Sequence, residues 1–171
     1  MKTTLLSLVA CSSLLAAPEP VSDSSAPSAS TNSPSKLPSG PDVLGVFEGR
    51  SPCQEIVGLL NAAGRETCTK IKWRLILYQD PVTHAPTTYA LGGFMWRNPP
   101  RTGKWTIFKG TPIDSNATVY QLDPDAPQGF LSFLKADDNI LFFLDNDRNL
   151  LIGNIKHSYT LNRVTNNRGA E

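Results

Sequence analysis

A small antiparallel β-barrel is the fold class that the sequence predicts, and three observations carry the prediction. The run 70–77, Lys-Ile-Lys-Trp-Arg-Leu-Ile-Leu, alternates cations with Ile71, Trp73 and Leu75 before ending on Leu77, as a half-buried antiparallel strand does. Turn-forming clusters then recur at short intervals: Asp80-Pro81, the stretch 98–103, Gly110-Thr111-Pro112, Asp123-Pro124-Asp125, Asp137-Asp138-Asn139 and the stretch 145–149. Third, a single segment of the mature chain has a capped helical pattern. About eight or nine short strands with hairpin connections fit a barrel or a sandwich, and the barrel is the favoured architecture.

Each element has its own local reason. Residues 43–49, Val-Leu-Gly-Val-Phe-Glu-Gly, read as a first strand ending in glycine. Ser51-Pro52-Cys53-Gln54 then places a capping hydroxyl, a proline at the first helical position and a Gln at the third. Ile56, Leu59, Leu60 and Ala63 follow at one-face spacing, and Gly64 is placed to stop the helix. After the alternating strand at 70–77, apolar runs of strand length lie at 88–96, 104–108, 118–122, 130–134, 140–144, 150–152 and 159–164.

The N-terminus carries a different signal. Met1-Lys2 gives a positive start, residues 3–10 an apolar stretch, and Leu8-Val9-Ala10-Cys11 resembles the lipobox of bacterial lipoproteins. On that reading, residues 1–10 are a signal peptide and Cys11 is the lipidation site that tethers the chain to the membrane. An alternative continues the apolar core through Ala17 and places an ordinary cleavage there, giving a soluble secreted protein; Pro18 opposes it. Residues 11–41 are rich in Ser, Pro and Ala, a composition that buries too little apolar surface to fold and that suits a disordered tether. The barrel domain is expected at 42–165, with a disordered tail at 166–171.

Composition excludes several classes. A formal charge of +1 lacks the basic excess of a nucleic-acid binder. No later stretch reaches the length of a membrane helix. With Cys11 acylated or cleaved away, Cys53 and Cys68 remain as an even pair, a disulfide candidate in an oxidising compartment; two unpaired buried thiols are the alternative. Such a bridge would join the first helical turn to the start of the next strand.

Short motifs along the ordered region carry a resemblance. Phe47-Glu48-Gly49, Pro52-Cys53, Gly58-Leu59, Gly103-x-Trp105, Tyr120-x-Leu122, Phe133-Leu134-Lys135, Leu144-Asp145 and Tyr159-x-Leu161-x-Arg163 together resemble the N-terminal domain of the NlpE family of bacterial envelope lipoproteins. The resemblance implies a small lipocalin-like β-barrel with one short helix after the first strand, anchored to the outer membrane and facing the periplasm. It also implies roles in envelope-stress sensing and copper homeostasis. Ser12, after the lipidation site, is similar to residues that permit outer-membrane sorting in such proteins. One departure bears on the chemistry: the family's Pro-Cys-x-x-Cys motif is here Pro52-Cys53-Gln54-Glu55-Ile56, so Ile56 stands where a second cysteine would. Copper is therefore implied by the resemblance alone, and no other cofactor is expected.

Other chemistry finds little support. His84, Met95 and His157 are scattered rather than clustered as a soft-metal site requires. Asp145-x-Asp147-x-Asn149 has the opening of a calcium loop, but Leu150 replaces its glycine and Lys156 its closing Glu, so a polar turn is the better account. Nucleophile elbows, phosphate-binding glycine loops and zincin helices are missing from the sequence. The chain reads as non-enzymatic, with two functions open. One is a lipid-anchored sensing or interaction module that reports to an envelope sensor protein. The other is a carrier whose Trp73, Phe94, Trp96, Trp105, Phe108 and Phe142 line a cavity for a small apolar ligand. An open apolar mouth would favour the carrier, and a closed core with an exposed patch near Cys53 and Cys68 the sensor.

Overall fold

A computed structural model describes residues 36–62, 67–126 and 130–166. The signal peptide, Cys11 and most of the expected tether lie outside the described residues, as do Ala63, Gly64 and positions 167–171.

Eight antiparallel strands close a barrel in simple sequence order, β8 pairing back onto β1. They are β1 (Val43–Pro52), β2 (Lys70–Gln79), β3 (Pro86–Gly93), β4 (Trp96–Lys109), β5 (Thr118–Leu122), β6 (Ser132–Lys135), β7 (Ile140–Leu144) and β8 (Thr160–Val164), with α1 (Gln54–Leu59) after β1. Closure leaves no unpaired sheet edge, which removes a template for aggregation. Phe47, Trp73, Leu75, Leu77, Leu91, Phe133, Leu141, Phe143 and Leu161 alternate inward and fill the interior. Trp73, Phe133 and Tyr159 all pack against Phe143, with centroids 5.5, 4.7 and 6.2 Å away.

Several local expectations change. Ser51 does not cap the helix. Pairing of β1 with β2 continues to Pro52 opposite Lys70, so Ser51 is extended and its side chain faces the core. There its hydroxyl accepts a 2.8 Å hydrogen bond from the Trp73 indole and donates to the Pro52 carbonyl. A buried indole N–H needs an acceptor, and that requirement outranks the cap. Cys53 occupies the N-cap position without a side-chain cap bond. The helix also stops before Gly64: Asn61 is left-handed at φ 47°, with Asn61 N–H donating to the Gly58 carbonyl and Ala62 N–H to the Val57 carbonyl.

The stretch 98–103, expected as a turn, lies inside β4. The chain reverses instead at Phe94 and Met95, after positive φ at Gly93 and Phe94. Leu91 pairs with Arg101 but Gly93 with Trp96, so residues 97–100 bulge out of the ladder and the two prolines displace no hydrogen bond. Residues 150–152 form no strand; Leu150 makes a single bridge to Leu144. The folded unit also extends past its expected ends, since the Asn166 side chain bonds both N–H and C=O of Leu37 at 3.0 and 3.3 Å.

The two barrel ends are built differently. At one end Arg163 crosses the Phe47 ring at 5.0 Å and donates to the carbonyls of Leu44 and Asp138 at 2.7 and 2.6 Å. Gly45 leaves room for this guanidinium, because a Cβ there would meet it at 2.7 Å. The other end carries α1, the β3–β4 turn and the long connections after β5 and β7.

Candidate functional site

The helix end concentrates the distinctive chemistry. Cys53 and Cys68 are disulfide-bonded with Cα atoms 5.7 Å apart, tying the start of α1 to the entry of β2. Cys53 is buried and Cys68 half-buried. Closing a loop of this size contributes about 3 kcal/mol on the chain-entropy model. Ile56, at the position of the missing second cysteine, is fully buried in the core. Burial raises the Tyr159 hydroxyl above its usual range, and the neighbouring Glu55 backbone opposes that rise.

Between β3, β4 and the connection after β5, three polar side chains meet at the barrel rim. Arg101 donates to the Asp123 carboxylate at 2.6 Å through its terminal nitrogen and to the Tyr89 hydroxyl at 3.0 Å through Nε. Tyr89 in turn donates to Asp123 at 2.9 Å. Strand β4 aims Arg101 inward opposite Leu91, and the left-handed backbone at Asp123 turns its carboxylate over Gly103. A Cβ at Gly103 would collide with that carboxylate at 2.0 Å. The guanidinium lies 4.1 Å from the Phe130 ring centroid and 5.7 Å from that of Trp96. Burial pushes the Tyr89 hydroxyl up to about 12, against the pull of Arg101 and with the help of Asp123. The tyrosine therefore stays protonated at neutral pH and serves as a donor in a closed polar cap.

The six aromatics proposed to line a cavity do not come together. Trp73 and Trp105 are core residues, and the Trp105 indole donates to the Tyr78 carbonyl at 2.6 Å while its ring packs edge-on against Tyr120. Phe94 and Trp96 sit on the rim, 6.3 Å apart, with Trp96 against Phe130. Phe108 and Phe142 alternate with inward residues and so face away from the core. The period of two along a strand decides this, and hydrophobicity alone does not reveal it.

No local pattern singles out Arg101, Asp123 and Tyr89: Arg101 and Asp123 lie in turn-like clusters of the sequence, and nothing local announces that strands β3 and β4 and the connection after β5 bring the three together. The remaining candidates are peripheral. His84 is exposed in the β2–β3 turn, with Nδ1 3.1 Å from Gln79, and His157 sits in the β7–β8 connection, its N–H bonded to Asn154. The Asp145 carboxylate accepts the backbone N–H groups of Asp147 and Asn149 at 2.9 and 2.8 Å, which makes residues 145–149 a side-chain-organised turn. Among the described residues, no group of three or more His, Cys, Asp or Glu side chains is placed to hold a metal ion.

Outside the barrel, next to the disulfide, lies a cationic groove. Thr67, Cys68, Lys70, Ile71, Lys72, Phe94 and Arg97 line its end beside the bridge. Comparison with protein-family models, curated proteins and solved structures found no match.

Proposed function

We propose that the chain is a lipid-anchored, periplasm-facing envelope module of the NlpE-like kind, held through Cys11, that acts by binding a partner at its helix end rather than by catalysis. The observation that carries this reading is the pairing of a side-chain-filled barrel with an exposed groove lined in part by Cys68. Large rings meeting at the barrel axis favour a packed core over a carrier's cavity. The buried Ile56 and the bonded Cys53 support a structural staple in place of a thiol metal site. Intact-mass analysis of membrane-extracted protein, with a non-reducing peptide map, tests the anchor and the bridge together. Acylated Cys11 and a Cys53–Cys68 link are expected; an unmodified chain cleaved near Ala17 would sink the anchored reading.

A further inference from the structure

Strand β2 turns Lys70, Lys72 and Arg74 outward, and β1 places Arg50 directly opposite Lys72. Like charges in register across a ladder are unfavourable, so this pair is retained against a local cost. Glu48 neutralises Arg74 through a 2.5 Å ion pair. No ion pair forms at Arg50, Lys70, Lys72 or Arg97 among the described residues. The groove floor is open because Gly92, outward on β3, supplies no side chain between β2 and Arg97; a Cβ there would meet nothing closer than 3.8 Å. The result is a shallow depression of about 550 Å³, lined by Glu48, Lys70, Lys72, Trp73, Arg74, Gly92, Gly93 and Arg97. Arg50 and Lys72 continue the positive surface toward β8. A chain whose formal charge is only +1 thus places Arg50, Lys70, Lys72 and Arg97 on one face, none of them ion-paired among the described residues. Met95, in the tight turn beside Arg97, is 47% exposed and adds an apolar tip at the same rim.

We infer that this face docks on an anionic phospholipid surface. The inference rests on the envelope reading above and names what the helix end meets first. Broad, shallow and open, a cationic face with an apolar residue at its edge matches a sheet of headgroup phosphates better than one enclosed ligand. Each Lys or Arg close to such a surface contributes about 1 kcal/mol, equivalent to roughly fivefold in binding. If the chain is anchored at Cys11, the stretch before Val43 keeps the domain within roughly 110 Å of the bilayer even when fully extended, so the face is presented to lipid at high local concentration.

The test uses the chain from residue 11 onward with Cys11→Ser, which lacks both signal and acyl group and retains the whole compact unit Ser35–Glu171. Its sedimentation with vesicles of phosphatidylcholine alone is compared with vesicles also containing phosphatidylglycerol. Binding only to the latter is expected, weakening as salt rises. Lys70→Gln with Lys72→Gln should lower it roughly 25-fold, and Arg97→Gln roughly fivefold, with near-ultraviolet circular dichroism verifying the fold of each. Equal binding to both vesicles, unchanged binding by the Gln variants, or equally tight capture by soluble polyglutamate would overturn the inference. The anchor is scored separately by the mass of the native chain: lipid binding can fail with Cys11 acylated, or succeed with it unmodified.

Discussion

The outer face of β1 and β2 and the outer face of β5 to β7 obey the same strand period and meet opposite surroundings. On β1 and β2 the outward residues toward the helix end, Glu48, Arg50, Lys70, Lys72 and Arg74, face water. On β5 to β7 the outward Val119 and Leu144 are buried and Phe142 is half-buried. Covering follows from the β7–β8 connection, which folds back along the barrel wall. Its Arg148 lies 5.3 Å over the Phe108 ring, and residues 146–148 share a crevice with the β4–β5 turn. A strand wet on one face shows alternation in its sequence, whereas a strand covered on both shows an unbroken apolar run.

The contrast can be broken most severely at the core that both regions share. Phe143→Ala removes the ring that Trp73 of β2 and Phe133 of β6 both pack against, and should cost about 3–5 kcal/mol, read as a lowered denaturant midpoint. Next in size, replacing Cys53 and Cys68 together by Ser should cost about 3 kcal/mol, and wild-type protein under reducing conditions should melt at the same lowered temperature. The faces themselves separate in a paired measurement. Val119→Ala on the covered wall should lose about 1–2 kcal/mol, while Lys72→Ala on the wet wall should stay within about 0.5 kcal/mol and lean toward stabilising, since it relieves Arg50. Equal losses at the two positions would show that the walls do not differ as described.

The smallest effect at neutral pH is the one at Tyr89. Its hydroxyl titrates higher in the folded chain than the ordinary tyrosine value of 10.0, so its stabilising contribution is complete below that value and is lost as pH rises through about 12. Stability against urea should fall over this window, and Tyr89→Phe should remove Tyr89's share of the fall. An alkaline profile identical in Tyr89→Phe would show that the rim hydroxyl does not carry this linkage.

The same physics explains which elements were legible in advance. Residues 70–77 announced a strand because Lys70, Lys72 and Arg74 meet water while Ile71, Trp73 and Leu75 meet the core. The disulfide was legible from the cysteine count once Cys11 was set aside, and it is present. The stretch 98–103 misled because proline and glycine mark irregular backbone without saying whether it is a turn or a bulge inside a strand. Ser51 misled because a capping pattern is local, whereas the demand of the Trp73 indole comes from β2.

By itself, then, the sequence determined the mainly antiparallel fold and offered Cys53 and Cys68 as a disulfide pair, since period, turn chemistry and cysteine spacing can be read along the chain; it favoured a barrel over a sandwich, and the pairing of β8 back onto β1 decided between them. Tertiary structure decided which aromatics are core and which are wall, where Arg101 finds Asp123 and Tyr89, and that Arg50, Lys70, Lys72 and Arg97, from three strands, lie on one face. Those facts depend on barrel closure and cross-strand register, which join residues far apart in the chain, and no local pattern encodes them.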